Sequence, residues 1–510
     1  MSAFHSTVSR REFMKGLGIA GAVTGGAALV APKFRDLDEL SSSGSSLTKR
    51  AWYVKETDYL KPTVEMDWTI RKRYDGRLQG QNARTMALYY GKARVLDRTN
   101  KQNAVLKQRL MNNDPGWGLK WRNLQDSYKR TYSWTAGFEK PVGGFSNTLA
   151  FTATPDERGV PKWTGTPEEA SNMLRAAMRL YGSALVGFAH LDSTWRDKVV
   201  MEYAAATGAI ETAGWVDETP WPPPDTLCPH IVYENVDQGY STTTKWVIPQ
   251  KDLWVMSTVS PEPRQNDKTA RSTISKTNLF GKLFSNSVYY CTWNFIHGLG
   301  YQMLGKLGDQ SDPINAGAST VLTGISETSR QNNWTLAPEY GAYIQPNTFM
   351  TDLPQAPTKP IDAGMWKFCH TCGKCATVCP SMSISTDKQP SWDLPAVAGK
   401  PNIEHGVGPK QFWWDGAGCC LWTAENGGSG TCSLCAANCV FSVDQAALVH
   451  SLVKPTIATT SIFNGFLTKM SESFGYSNFS NPDDWWNMSL PVLGCDTTMV
   501  ANDKGYRNKV

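Results

Sequence analysis

In Cys369-His370-Thr371-Cys372-Gly373-Lys374-Cys375-Ala376-Thr377-Val378-Cys379-Pro380, two residues separate each of the first three cysteines and three separate the last pair. Such a run is built for a [4Fe–4S] cubane. Each iron takes one thiolate, the two-residue gaps let one tight loop reach three corners, and the fourth thiolate comes from elsewhere. A second group follows at Cys432-x2-Cys435-x3-Cys439, with Cys419 and Cys420 upstream of it. Nine of the twelve cysteines fall within the 71 residues from 369 to 439, a clustering that points to metal rather than to a disulfide framework. Structural zinc prefers two separated pairs of ligands, which four cysteines in one run do not supply. Where two cubanes sit together, the last cysteine of each run serves the other cluster. That rule assigns Cys369, Cys372, Cys375 and Cys439 to one cluster. Cys379, Cys432 and Cys435, with Cys419 or Cys420, hold the other. Cys228, Cys291 and Cys495 read as buried thiols.

Outward from the cysteines, the chain divides by composition. The Pro-rich stretch Leu353 to Ile361 reads as a linker into a cluster-bearing domain over 361–445. Asp444 to Val453 and Ile462 to Phe474 read as helices of a C-terminal cap over 446–510. Upstream, Thr166-Pro167-Glu168-Glu169 is a capping box with Pro at the first helical position. Met173, Leu174, Ala177, Met178 and Tyr181 share one face of the helix it starts. Ala184 to Ala189 and Trp254 to Val259 read as buried strands, and Val288, Cys291, Phe295 and Leu299 as the stripe of a second long helix ending at Gly300. Residues 161–352 are therefore expected to form a mixed α/β or α+β domain. Residues 45–160, rich in Arg, Trp, Gly and Asn with little periodicity, read as an irregular layer of short helices and loops.

The 510 residues are 41% hydrophobic and 19% charged, too apolar for a disordered chain. Fifty-one basic against 46 acidic side chains leave +5, too little and too dispersed for a nucleic-acid binder. At the start, Ser9-Arg10-Arg11-Glu12-Phe13-Met14-Lys15 precedes a Gly/Ala-rich apolar run from Gly16 to Ala31. That run is too short to cross about 30 Å of hydrocarbon comfortably. Paired arginines ahead of it resemble a twin-arginine export signal, so residues 1–31 are expected to be a signal peptide. No other window offers about 18 consecutive apolar residues, and the mature chain is not expected to span a membrane by itself.

Taken together, the export motif, a mixed central domain and a two-cluster module make the chain resemble a reductive dehalogenase, the catalytic subunit of organohalide respiration. The resemblance runs from the arginine pair through Trp163-Thr164-Gly165-Thr166-Pro167-Glu168-Glu169 to Thr358-Lys359-Pro360-Ile361-Asp362-Ala363-Gly364. Phe463-Asn464-Gly465-Phe466 and Phe474-Gly475-Tyr476 look like the chlorinated-ethene branch. The family's second motif has one cysteine twelve residues before its Cys-x2-Cys, which favours Cys420 over Cys419.

The resemblance implies an α+β fold: a nitroreductase-like corrinoid-binding domain followed by a ferredoxin-like domain with two [4Fe–4S] clusters. It implies base-off corrinoid binding, and none of the seven histidines sits in an Asp-x-His-x-x-Gly box. The implied reaction is R–X + 2e⁻ + H⁺ → R–H + X⁻ on a small organohalide, with Co(I) reached through the two clusters. Implied partners are a small hydrophobic membrane-anchor subunit and a respiratory electron donor, with the protein peripheral on the outer face of the cytoplasmic membrane. Here the sequence departs from the family. The tyrosine expected nineteen residues before the Tyr of Gly300-Tyr301 is Lys282, and the usual basic residue after Pro338-Glu339-Tyr340-Gly341 is Gln345. Lys282 is therefore the candidate proton donor. The competing readings are an electron-carrying paralogue without the chemistry and, less suited to the export motif and charge, an epoxyqueuosine-type reductase acting on tRNA.

Overall fold

The computed structural model describes residues 50–129, 135–136, 138–142, 151–204, 228–275, 280–305, 313–428, 432–443, 448–473 and 476–490. The arginine pair and the expected signal peptide lie outside them.

In chain order, the elements that position the site begin with β1 (Lys55–Glu56), α1 (Ala83–Tyr90) and α2 (Lys92–Met111). The central body contributes α3 (Pro167–Leu180), β2 (Leu185–His190), β3 (Trp254–Pro261), α4 (Phe280–Gly298), β4 (Met303–Leu304), α5 (Ala316–Leu322) and β5 (Ile344–Thr351). Then come β6 (Ile361–Asp362), α6 (Met365–Cys372), α7 (Gly416–Glu425), α8 (Leu448–Thr459) and α9 (Asn464–Ser473).

The α3 N-terminus forms as its sequence dictates. Thr166 Oγ1 accepts from the Glu169 N–H, and the Glu169 carboxylate accepts from the Thr166 N–H, so two otherwise orphaned donors are satisfied reciprocally. The helix then buries Ala170, Leu174 and Met178. Beneath it lies a four-stranded sheet in the order β2-β3-β5-β4, antiparallel at every pairing. Strand alternation sends Phe188, Met256 and Phe349 to the face covered by α3 and α4, where they meet Leu174, Met178, Val288 and Ile296. Ala189, Val255 and Met350 point the other way, onto Leu322 at the end of α5. The body is therefore a mixed α+β arrangement with helix on both faces of an antiparallel sheet.

The N-terminal layer is more regular than its composition suggests. Residues 92–111 form a 20-residue helix, not short helices and loops. Only Val95 on it is buried, so its polar surface shows almost no periodicity to read. This layer is tied to the cluster-bearing segment: β1 pairs antiparallel with β6, and α7 packs on α1 and α2. Toward the C-terminus, α8 runs through Pro455 to Thr459, past the expected end at Val453. Both α8 and α9 pack on α6. No helix of the described residues is long and apolar enough to cross a membrane.

Candidate redox and cofactor site

Two short turns present the thiols. After Cys372, Gly373 takes a left-handed conformation (φ 64°) and starts the turn Lys374–Thr377, which carries Cys375. After Cys432, Ser433 does the same (φ 59°) and starts Leu434–Ala437, which carries Cys435. Glycine adopts this geometry freely, whereas serine has to be held in it by its surroundings. The two turns pack against each other, so the cysteine runs meet face to face.

Cys369, Cys372, Cys375 and Cys439 line one small cavity, together with Arg330, Lys374 and Phe441. Their thiols are close enough to feel one another's charge: Cys369 against Cys439 and Cys372, and Cys375 against all three. Burial first, and this mutual repulsion second, push Cys439 up to about 11 and Cys369 and Cys375 well above the ordinary thiol range. Buried thiols held together in this way lose their protons only to a strongly cationic occupant. A cluster that takes one thiolate at each corner matches that donor set. Among the described residues, no three Cys, His or acidic side chains converge tightly enough for a single metal ion.

Both candidates for the remaining ligand of the second set, Cys419 and Cys420, lie on α7. Cys419 stands beside Cys379 and Cys432, and burial with their charge raises it to about 12. Trp414 also donates a side-chain hydrogen bond to Cys419. Cys420 instead packs with Ala83, Met86, Tyr89 and Leu421 between α7, α1 and α2. Successive residues on α7 point about 100° apart, so Cys419 and Cys420 present different sides of the helix. Cys435 lies within reach of Cys375, where the two sets approach each other.

Behind the first cavity opens a cleft with about 1660 Å³ of free space out to its mouth. Its walls come from the N-terminal layer (Trp68, Tyr74), from the α5 side of the sheet (Val321, Ile344) and from the segment ahead of α7 (His405, Trp414). Residues 328–336 form the partition: Thr328 and Asn332 to Thr335 line the cleft, while Ser329, Arg330, Gln331 and Leu336 line the four-cysteine cavity. Gln79 Oε1, Asn332 Nδ2 and Asn333 Oδ1 line the cleft buried and without a hydrogen-bond partner. A ligand with amide donors and acceptors at its edge would satisfy them. The rim of a corrinoid, set with carboxamides around a flat macrocycle, is such a ligand, so the residues present fit that group.

Two titratable groups in the cleft are strongly perturbed. Glu404 accepts the Gly416 and Ala417 N–H groups at the start of α7, yet burial and the nearby Asp415 raise it to about 8. Burial lowers His405 to about 4, and its Nδ1 lies 3.3 Å from Asn402 Oδ1. Two further positions were singled out for proton transfer. Lys282 falls in the first turn of α4, and its side chain lies outside the described residues. Gln345 is buried on β5, where its strand neighbours Ile344 and Pro346 line the cleft and its own side chain takes the opposite face. Gln79, Asn332, Asn333 and Glu404 were not legible beforehand, because isolated polar residues carry no spacing signal.

The family model of the reductive dehalogenase subunit matches residues 49–355. Over nearly its whole length, the chain is 31% identical across 545 aligned residues to the chloroethene reductive dehalogenase of Dehalococcoides mccartyi strain VS, covering 97% of this chain and 99% of the relative. This chain belongs to the reductive dehalogenase family. It is an oxidoreductase acting on organohalides. A second relative, the trichloroethene reductive dehalogenase of Dehalococcoides mccartyi strain 195, is 29% identical over 96% of this dehalogenase and 98% of its own length. Among solved structures, the catabolic reductive dehalogenase NpRdhA with 3-bromo-4-hydroxybenzoic acid superposes with a TM-score of 0.56 at 14% identity. That match covers 85% of this dehalogenase, which spans half the length of the NpRdhA chain. A further reductive dehalogenase structure, described for B12-dependent dehalogenation, gives a TM-score of 0.52 at 13% identity. At such identities the shared feature is the fold. The family model ends before the first clustered cysteine, so the match does not depend on the cysteine spacing.

Proposed function

We propose that this reductive dehalogenase removes halide from a small organohalide, R–X + 2e⁻ + H⁺ → R–H + X⁻, with a base-off corrinoid in the cleft and two [4Fe–4S] clusters behind it. The observation that carries this reading is the partition 328–336, one face of which lines the cleft and the other the four-cysteine cavity. Cys369, Cys372, Cys375 and Cys439 would hold the cluster next to the cleft. Cys379, Cys419, Cys432 and Cys435 would hold the other, with Cys419 replacing the Cys420 expected from spacing. When bound, the corrinoid supplies a low-potential cobalt centre for carbon–halogen cleavage, and the clusters supply electrons singly. The central body would be the nitroreductase-like, corrinoid-binding part and residues 361–445 the ferredoxin-like part.

In this reading the residues of the chain hold, orient and exclude. Gln79, Asn332 and Asn333 offer hydrogen bonds to the rim of the bound ring. Trp68, Trp334 and Trp414 give the cleft apolar walls that exclude water from an apolar halocarbon. Lys282 is the proposed proton donor at the start of α4. Residues 1–31 would direct export through the twin-arginine route to the outer face of the cytoplasmic membrane. There a small hydrophobic subunit would anchor the protein and a respiratory donor would reduce it. Two full-length relatives act on chlorinated ethenes, which makes those the first substrates to assay.

The test is anaerobic turnover of chlorinated ethenes and other halocarbons with a reduced viologen, on protein whose corrinoid and iron have been counted. Halide release requiring both corrinoid and about eight iron atoms is expected. Corrinoid-free protein with full activity would sink the cofactor reading. Lys282→Met is expected to abolish halide release with both cofactors retained, and undiminished release would remove Lys282 from the mechanism.

A further inference from the structure

The two thiol sets sit in unequal electrostatic surroundings, and one buried side chain accounts for much of the difference. Arg330 is 3% exposed and lies in the partition. Every nitrogen of its guanidinium is spent on backbone carbonyls. Nε donates to Cys369 O (3.0 Å), Nη2 to His370 O (3.3 Å), and Nη1 to Ser385 O (2.9 Å) and Asp387 O (2.7 Å). Its plane stands 3.7 Å from the Phe412 ring centroid. None of those bonds neutralises it, and guanidinium does not deprotonate in proteins. Its fixed positive charge faces Cys369, Cys372 and Cys375, with the Asp387 carboxylate also within its field.

Hydrogen bonds add to the same side. The Arg330 N–H faces the Cys369 sulfur, the Lys374 N–H and Thr468 hydroxyl face Cys372, and the Phe441 and Ser442 N–H groups face Cys439. Lys374 brings a second cation to Cys372. Around three thiols of the other set, the Leu434 N–H faces Cys432, Trp414 faces Cys419, and Ser381 Oγ lies 3.3 Å from the Cys379 sulfur. Arg271 brings a cation to Cys432, and Asp415 brings an opposing negative charge beside Cys419.

Positive charge and N–H···S bonds both stabilise the reduced, more negative state of a cluster. We propose that Arg330 is a positioning residue that holds the cluster of Cys369, Cys372, Cys375 and Cys439 at a higher reduction potential than its neighbour. An electron entering from a low-potential one-electron donor then comes to rest on the cluster beside the cleft. Each transfer balances as one cluster going from the 1+ to the 2+ state while the other goes from 2+ to 1+. The proposal rests on the ligand sets given above.

The experiment is an anaerobic redox titration of the holoprotein followed by electron paramagnetic resonance, with iron counted in every sample. Wild type is expected to reduce in two separated steps. Arg330→Gln should shift only the higher step downward, lowering the reduced-to-oxidised ratio at fixed potential about tenfold, or about 59 mV. Arg330→Lys, which keeps the charge, should recover most of that shift. Asp415→Asn serves as a second variant with the partition intact; it keeps the α7 cap and should shift only the lower step, upward. Unmoved midpoints in Arg330→Gln with full iron, or a shift in the lower step instead, would overturn the role of Arg330. A wild type holding fewer than two clusters would overturn the ligand sets, and this inference with them.

Discussion

Replacing Glu327 by Gln should make the protein more stable, and increasingly so as pH rises. Glu327 is fully buried where three parts of the chain meet. Its Oε1 accepts from Thr63 of the N-terminal layer (2.9 Å), and Oε2 accepts the N–H groups of Ala363 (3.0 Å) and Met365 (3.1 Å) at the entry to α6. Burial dominates over these bonds and raises the carboxyl from 4.5 to about 7. Between those values the folded chain keeps a proton that the unfolded chain has released, so stability falls as pH rises through the window and levels off above it. The difference of about 2.5 pKa units, at about 1.36 kcal/mol each, gives about 3 kcal/mol. Glutamine reproduces the protonated form: its oxygen can take both backbone N–H groups, and its amide can donate to Thr63. Urea unfolding of both proteins under anaerobic conditions, from pH 5 to pH 8.5, is the assay. The variant should exceed wild type by about 1 kcal/mol or less near pH 5 and by about 3 kcal/mol above pH 7. Glu404 and His405 titrate in both proteins and cancel in the comparison. A stability difference that does not change with pH, or a variant less stable than wild type at pH 8, would refute the reasoning.

Cys419→Ser should cost or convert one cluster, seen as lost iron and an altered paramagnetic signal, while Cys420→Ser should keep about eight iron atoms; the reverse pattern would restore the assignment from spacing. Asn332→Ala with Asn333→Ala should weaken corrinoid retention about tenfold or more on gel filtration with iron content unchanged, since two buried polar partners are lost. Unchanged retention would place the corrinoid elsewhere. Arg10→Lys with Arg11→Lys should leave the uncleaved precursor in the cytoplasm, and normal export of that variant would dispose of the twin-arginine reading.

What could be read in advance was whatever the chain encodes locally. The capping box at Thr166 to Glu169 works through residues three apart, and the helix starts there. The cysteine runs encode loops in their own spacing, and the first four-thiol group assembles from residues chosen on that basis. Cys419 and Cys420 differ by one position, and the choice between them depends on which side of α7 meets α1, a tertiary fact. The cleft draws Gln79, Asn332 and Glu404 from three distant segments, so no window of sequence contains it. The helix α2 was missed for the opposite reason: it is solvated nearly all round and carries no stripe.

The shared partition would also couple the occupants of the two compartments. Residues 328–336 must be ordered for either side to have a wall. In the proposed reading, an occupant that stiffens that segment from one side would present the other side with a surface already set. By linkage the benefit is mutual: filling the thiol cavity tightens the cleft for its ligand by the same factor that a filled cleft tightens the hold on the cluster. A chain that loses iron should therefore shed its large cofactor as well, and one matured without that cofactor should hold its iron less firmly.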